Sequence, residues 1–184
     1  NAYAGSYEPC TITGSIFEGN TTAQDGGGLY IKSIGSQTTV ADNLFAFNRA
    51  SATGFGGGVN VGSAWTDFSL TRNVMMGNSA GYGGGLYVST TTWGLGTVTN
   101  NILQDNAASM GGGACLVSLH DLDFTNNTVC VGGSVELYAR EAVGGVISGN
   151  SFGWSDDETV TTCGTQTWNQ VIYLSNSDPA AADE

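Results

Sequence analysis

One short pattern recurs six times along this chain, and a recurrence of that length restricts the fold more than anything else in the sequence. The copies are Ile12–Asn20, Val40–Asn48, Leu70–Asn78, Val98–Asn106, Phe124–Gly132 and Ile147–Ser155. Their fourth positions hold Ser15, Asn43, Asn73, Asn101, Asn127 and Asn150, and by subtraction these anchors lie 28, 30, 28, 26 and 23 residues apart. Two residues beyond each anchor stands Phe17, Phe45, Met75, Leu103, Val129 or Phe152. Three residues further on come Asn20, Asn48, Asn78 and Asn106, after which that position lapses.

A glycine block follows each copy. It reads Gly26-Gly27-Gly28-Leu29-Tyr30-Ile31, Gly56-Gly57-Gly58-Val59-Asn60-Val61, Gly83-Gly84-Gly85-Leu86-Tyr87-Val88 and Gly111-Gly112-Gly113-Ala114-Cys115-Leu116. Gly132-Gly133-Ser134-Val135-Glu136-Leu137 is a degraded version. A period of this size made of short β-type segments is one turn of a β-solenoid. Helical repeats are opposed by the glycine triplets and the β-branched runs. The expected fold is therefore all-β, a right-handed parallel β-helix of about six coils, with residues 1–176 as one domain and 177–184 as an acidic tail.

Strand side chains alternate between the two faces. Leu29 and Ile31, Val59 and Val61, Leu86 and Val88, Ala114 and Leu116, and Val135 and Leu137 are thus expected to face inward in stacks about 4.8 Å apart. The asparagines are expected where strands bend, because Asn tolerates left-handed backbone angles and its amide can bond to the next Asn in the stack. The residues after each anchor, Ile16, Leu44, Val74 and Ile102, then form an outward apolar stripe, or belong to the core if the facing is inverted. Tyr30, Asn60, Tyr87, Cys115 and Glu136 make a second outward column, in which exposed tyrosines would suit sugar or protein contact.

At these residues the chain resembles the polymorphic outer membrane protein repeat, whose pattern is Phe-x-x-Asn-x-Ala followed by Gly-Gly-Ala and an aliphatic residue. Phe17-Glu18-Gly19-Asn20 to Leu29 and Phe45-Ala46-Phe47-Asn48-Arg49-Ala50 to Val59 carry it, with relaxed versions at Met75–Asn78 and Leu103–Asn106. A third Gly replaces the family's Ala in all four complete copies. The resemblance covers residues 12–118 well and 124–155 weakly, and implies exposure at a bacterial surface and adhesion.

Composition narrows the function. The formal net charge is -12, with only Lys32, Arg49, Arg72 and Arg140 basic. Such a surface repels nucleic-acid phosphates and anionic lipid. No apolar run is long enough to span a membrane. The chain opens Asn1-Ala2-Tyr3-Ala4 without an initiator Met and holds 4 Cys. That reads as a mature, secreted chain in an oxidising compartment.

Catalytic chemistry has few candidates. Asp42 and Arg72 each precede an anchor and are expected to pair between adjacent coils. Asp67, Asp105, Asp121 and Asp123 are scattered, and His120 beside Asp121 reads as a solvated loop residue. No catalytic residue and no cofactor is assigned. Asp156, Asp157 and Glu158 could hold calcium, although they lack the spacing of a calcium loop. Cys130 and Cys163 are the expected disulfide, which leaves Cys10 and Cys115 about three coils apart, too far to bridge within one chain. They would then pair between subunits, unless the connectivity differs. Sequons stand at Asn20 and Asn126, the first in the inward ladder.

The expectation for function is a secreted structural or adhesive solenoid, a self-assembling fibre or surface-layer subunit and not an enzyme. Its partners are other copies of itself, head-to-tail or side by side, together with a carbohydrate or a host-surface protein. A carbohydrate-binding or polysaccharide-cleaving β-helix is the alternative.

Overall fold

The protein is described from a computed structural model. It covers residues 2–4, 9–32, 37–64, 66–90, 95–117, 122–131, 137–140, 146–148, 150–154 and 172–175. Every regular element among them is a strand. The strands form a parallel β-solenoid with three sheets as its walls. Sheet 1 stacks Cys10–Thr13, Thr38–Ala41, Phe68–Thr71, Gly96–Thr99, Leu122–Thr125 and Val146–Ser148. Sheet 2 stacks Ile16–Glu18, Leu44–Ala46, Val74–Met76, Ile102–Gln104, Thr128–Val131 and Ser151–Trp154. Sheet 3 stacks Ala2–Ala4, Leu29–Lys32, Val59–Ala64, Leu86–Thr90, Ala114–Val117, Leu137–Arg140 and Ile172–Ser175. About four turns are described almost throughout, and strands of two further coils continue all three walls.

The core follows from alternation. Leu29, Val59 and Leu86 are fully buried, as are Val61 and Val88 on the same strands. Phe45, Met75 and Leu103 are equally buried from sheet 2, and Val40, Leu70, Val98 and Phe124 from sheet 1. Each such side chain contributes about 1.5–3 kcal/mol by leaving water. Phe17 stacks on Phe45 with centroids 4.8 Å apart and planes within 9°. Gly96 leaves the space that Phe68 and Leu122 fill, since a Cβ there would lie 2.6 Å from Phe68 Cζ and 2.5 Å from Leu122 Cδ1.

Two corners are lined by asparagine. Asn43 donates through its backbone N–H (3.1 Å) and Nδ2 (3.0 Å) to Asn73 Oδ1 in the next coil, while Nδ2 also donates to the Ile12 carbonyl behind it at 2.9 Å. Asn73 does the same to Asn101, Asn101 to Asn127 and Asn127 to Asn150. A parallel ladder runs through Asn20, Asn48, Asn78 and Asn106 at the second corner. A backbone N–H can only donate, so these bonds fix which amide atom is oxygen.

The left-handed backbone expected of the asparagines belongs instead to the residue before each one. Gly14, Asp42, Arg72, Asn100 and Asn126 have φ between 54° and 58° at the first corner. Gly19, Phe47, Gly77 and Asp105 have φ between 53° and 64° at the second. The laddered Asn must keep its side chain aimed inward, so its neighbour takes the turn.

The third corner is the glycine block. Gly26, Gly56, Gly83 and Gly111 have φ from 61° to 66°. At the second glycine the constraint is proximity: a Cβ on Gly57 would lie 2.6 Å from Ser79 O and also meet the Gly84 carbonyl. Ahead of this corner, Ser79–Tyr82 and Ala107–Met110 form an additional two-stranded strip.

Two expectations are corrected by register. Leu137, Tyr138 and Ala139 pair with Ala114, Cys115 and Leu116, two residues later than the degraded glycine block suggested. The partner of Cys115 is therefore Tyr138 and not Glu136, and Ala139 takes the place given to Leu137. The repeat signal begins at Ile12, yet Ala2–Ala4 already pairs with Leu29–Ile31.

Candidate functional site

With the interior filled by side chains, chemistry has only the outer faces and corners. At the first corner Asp42 and Arg72, one coil apart, form a two-bonded ion pair with both contacts at 2.7 Å. The Arg72 guanidinium holds the Asp42 carboxyl below its usual range, and Asp42 in turn raises Arg72. Both side chains are more than half exposed, so this is a surface pair. Asp67 accepts a hydrogen bond from the Leu95 backbone N–H at 2.9 Å and so ties a loop between coils. Asp105 is an exposed corner residue and Asp123 lies half-buried on sheet 1. The structure brings none of these carboxylates into a pair with another, and no group of three or more His, Cys, Asp or Glu among the described residues could hold a metal ion.

His120, Asp121, Asp156, Asp157, Glu158 and Cys163 lie outside the described residues. The Cys130–Cys163 disulfide and the calcium site therefore do too. Cys130 is placed by its backbone alone, between Gln104 and Gly153 in sheet 2. Cys10 and Cys115 are free thiols, the first half-buried on sheet 1 and the second buried on sheet 3.

The outer side of sheet 2 carries the aliphatic stripe. Ile16, Leu44, Val74 and Ile102 are in register and face outward, with Ile16 68% and Ile102 41% exposed. Phe47, on the adjoining corner, is 58% exposed despite a left-handed φ of 54°.

The outer side of sheet 3 is different. Its register places Tyr30, Asn60, Tyr87 and Cys115 in one column, and the backbones of Tyr3, Tyr138 and Tyr173 stand in line with it. That is five of the 7 tyrosines in the chain, too concentrated for scatter. Phe55 covers the Tyr87 ring at 4.5 Å and touches Tyr82 at 5.1 Å. Burial pushes the Tyr87 hydroxyl and the Cys115 thiol each up to about 12. Asn60 is 2% exposed, and its Oδ1 accepts no hydrogen bond among the described residues. The sequence places Tyr30, Asn60, Tyr87 and Cys115 in this column, but the two-residue slip in the fifth coil puts Glu136 where Tyr138 stands.

The Chlamydia polymorphic membrane protein repeat matches residues 14–32. That stretch holds the first corner, the Phe17 strand, Asn20 and the first glycine block. The chain thus carries this type of repeat, in a β-solenoid. No curated protein and no solved structure matches the chain. Among the described residues no helix is long and apolar enough to cross a membrane.

Proposed function

We propose that this chain is a structural and adhesive solenoid of the cell surface or the extracellular space, acting by contact and not by catalysis, with further copies of itself as its first partner. The observation that carries this reading is the aliphatic stripe on sheet 2. A solvent-facing row of Ile16, Leu44, Val74 and Ile102 is costly to leave wet on a chain whose charged residues are only 11%. The strands beneath it are in register from coil to coil, which gives a second stripe a continuous row to lie along. Elsewhere the strong negative charge keeps copies apart, which favours side-by-side contact along this one face. The structural employment of Asp42 and Asp67 supports a non-catalytic role. Resemblance to a membrane-protein repeat supports a surface location.

Sedimentation velocity and negative-stain microscopy of the purified chain test the reading. Ordered assemblies are expected, and Leu44→Lys with Ile102→Lys should disperse them while leaving the β-sheet circular dichroism unchanged. A wild-type chain that stays monomeric at high concentration would overturn it.

A further inference from the structure

The outer side of sheet 1 carries a regular grid of hydroxyls. Ile12, Val40, Leu70, Val98 and Phe124 belong to the core, so the residues on either side of each point outward. Register joins them into two rows. One row runs Thr11, Thr39, Ser69, Thr97 and Asp123. The other runs Thr13, Ala41, Thr71, Thr99 and Thr125. Thr suits any strand, and propensity alone would spread it over all three walls. It does not: in the first four coils the outward strand positions of sheet 2 hold no Thr or Ser, and those of sheet 3 hold only Ser89.

The grid is uncharged as far as Asp123, on a chain of net charge -12. At the adjoining corner Asp42 and Arg72 neutralise each other. Its rungs are about 4.8 Å apart and its rows about 6.6 Å, twice the rise per residue. The four strand pairings behind it carry no slip, whereas sheet 3 shifts register after Ser89. A hydroxyl has one donor and two acceptor sites. Ser69 Oγ and Thr71 Oγ1 lie 3.0 Å apart, and Thr125 donates to Thr99 Oγ1 at 3.4 Å. Those two contacts use a small part of the capacity of the grid and leave the rest for water.

We propose that this wall binds the surface of ice. The match is one of charge and of repeat. Ice is a neutral solid whose oxygens recur at fixed intervals, and both spacings of the grid lie close to oxygen repeats on faces of hexagonal ice. Threonine hydroxyls hold water at those positions, and the methyl groups between them restrict it to an ordered layer that the lattice can continue. The core and the register fix the hydroxyls when the chain folds, so little ordering is left to be done at contact. Ala41, which lacks a hydroxyl, and Asp123, which brings a charge, are the two departures from the pattern. This inference goes beyond the association through sheet 2 and does not rest on it, because it uses a different wall.

Nanolitre osmometry and partition of the fluorescently labelled full chain into a growing ice hemisphere test the proposal. The freezing point is expected to fall below the melting point, with faceted crystals, and the chain to enter the ice. Thr71→Lys and Thr97→Lys, in the middle of the grid, should each lower this hysteresis several-fold with the β-sheet circular dichroism unchanged. Gln104→Lys adds the same charge on sheet 2 and should leave it as in the wild type. Asp123→Thr extends the first row by one coil and should raise it, whatever the lysine variants do to folding. Microcrystalline cellulose, a neutral hydroxyl-bearing solid with a different repeat, serves as the competing adsorbent. The proposal fails if the chain shows no hysteresis and is excluded from ice, or if it adsorbs to cellulose and not to ice. It fails equally if the folded lysine variants keep wild-type hysteresis, or if Asp123→Thr does not raise it.

Discussion

The asparagine corners and the glycine corner join the same walls by opposite means. At the first, each coil inserts an amide that its neighbours on both sides use. Asn73 accepts two hydrogen bonds from Asn43 and donates to Val40 and Asn101. At the third, contact depends on there being no side chain at all, and the carbonyls of successive glycine blocks approach where a Cβ would stand. One corner is therefore vulnerable to losing atoms and the other to gaining them. The difference also separates their exteriors. Outside the asparagine corner lies the solvated Asp42–Arg72 pair, whereas the glycine corner adjoins the half-buried Tyr87 and the buried Cys115.

Substitutions can break this contrast. The largest loss is expected for Asn73→Ala. It strands the buried N–H groups of Asn43 and the Val40 carbonyl at once, at about 4 kcal/mol by summed desolvation, measurable by denaturant unfolding. Gly57→Ala should cost about 3 kcal/mol, because its new methyl meets backbone oxygen and not a movable side chain. If Asn73→Ala proved the milder of the two, the amide ladder would be filling space rather than bonding. Gly19→Ala, with nothing within 4 Å and only its left-handed φ of 64° to strain it, should cost about 1 kcal/mol.

Alkaline pH probes the exterior of the glycine corner. The folded chain holds the protons of Tyr87 and Cys115 more tightly than the unfolded chain does, with values near 12 against ordinary values of 10.0 and 9.0. Their contribution is complete below pH 9 and is lost as the pH rises towards 12. The melting temperature should fall across that window, less steeply in Cys115→Ala. The smallest effect belongs to Arg72→Ala. The lowered carboxyl of Asp42 contributes only above its unfolded pKa, and that contribution disappears as the pH falls through the folded value. The substitution should leave the melting temperature near neutrality unchanged and return the Asp42 titration, followed by NMR, towards 3.8.

The interior was the most legible part of the sequence because stacking repeats the same demand in every coil. Phe17, Phe45, Met75 and Leu103 recur because each lies over the last, and the buried amides recur because each bonds to the next. Positions facing outward meet no such demand. The turn residue before each anchor is Gly14, Asp42, Arg72, Asn100 or Asn126, a set with no shared chemistry, so the left-handed conformation was assigned to the conspicuous asparagine beside it. The Ser79–Tyr82 strip carries no alternating apolar pattern and left no signature. In the fifth coil the glycine block has decayed, and with its landmark gone the register was misplaced by two residues. That error put Glu136 where Tyr138 continues the tyrosine column.

Every amide in both ladders leans the same way, oxygen towards the preceding coil and nitrogen towards the following one. The stack is thus an arrow and not a plain column. Turned end for end, a coil would bring oxygen against oxygen at two corners together, so only a like-pointing coil can be accommodated. A single reversed rung would be rejected twice over, and the solenoid proofreads its own direction at each turn.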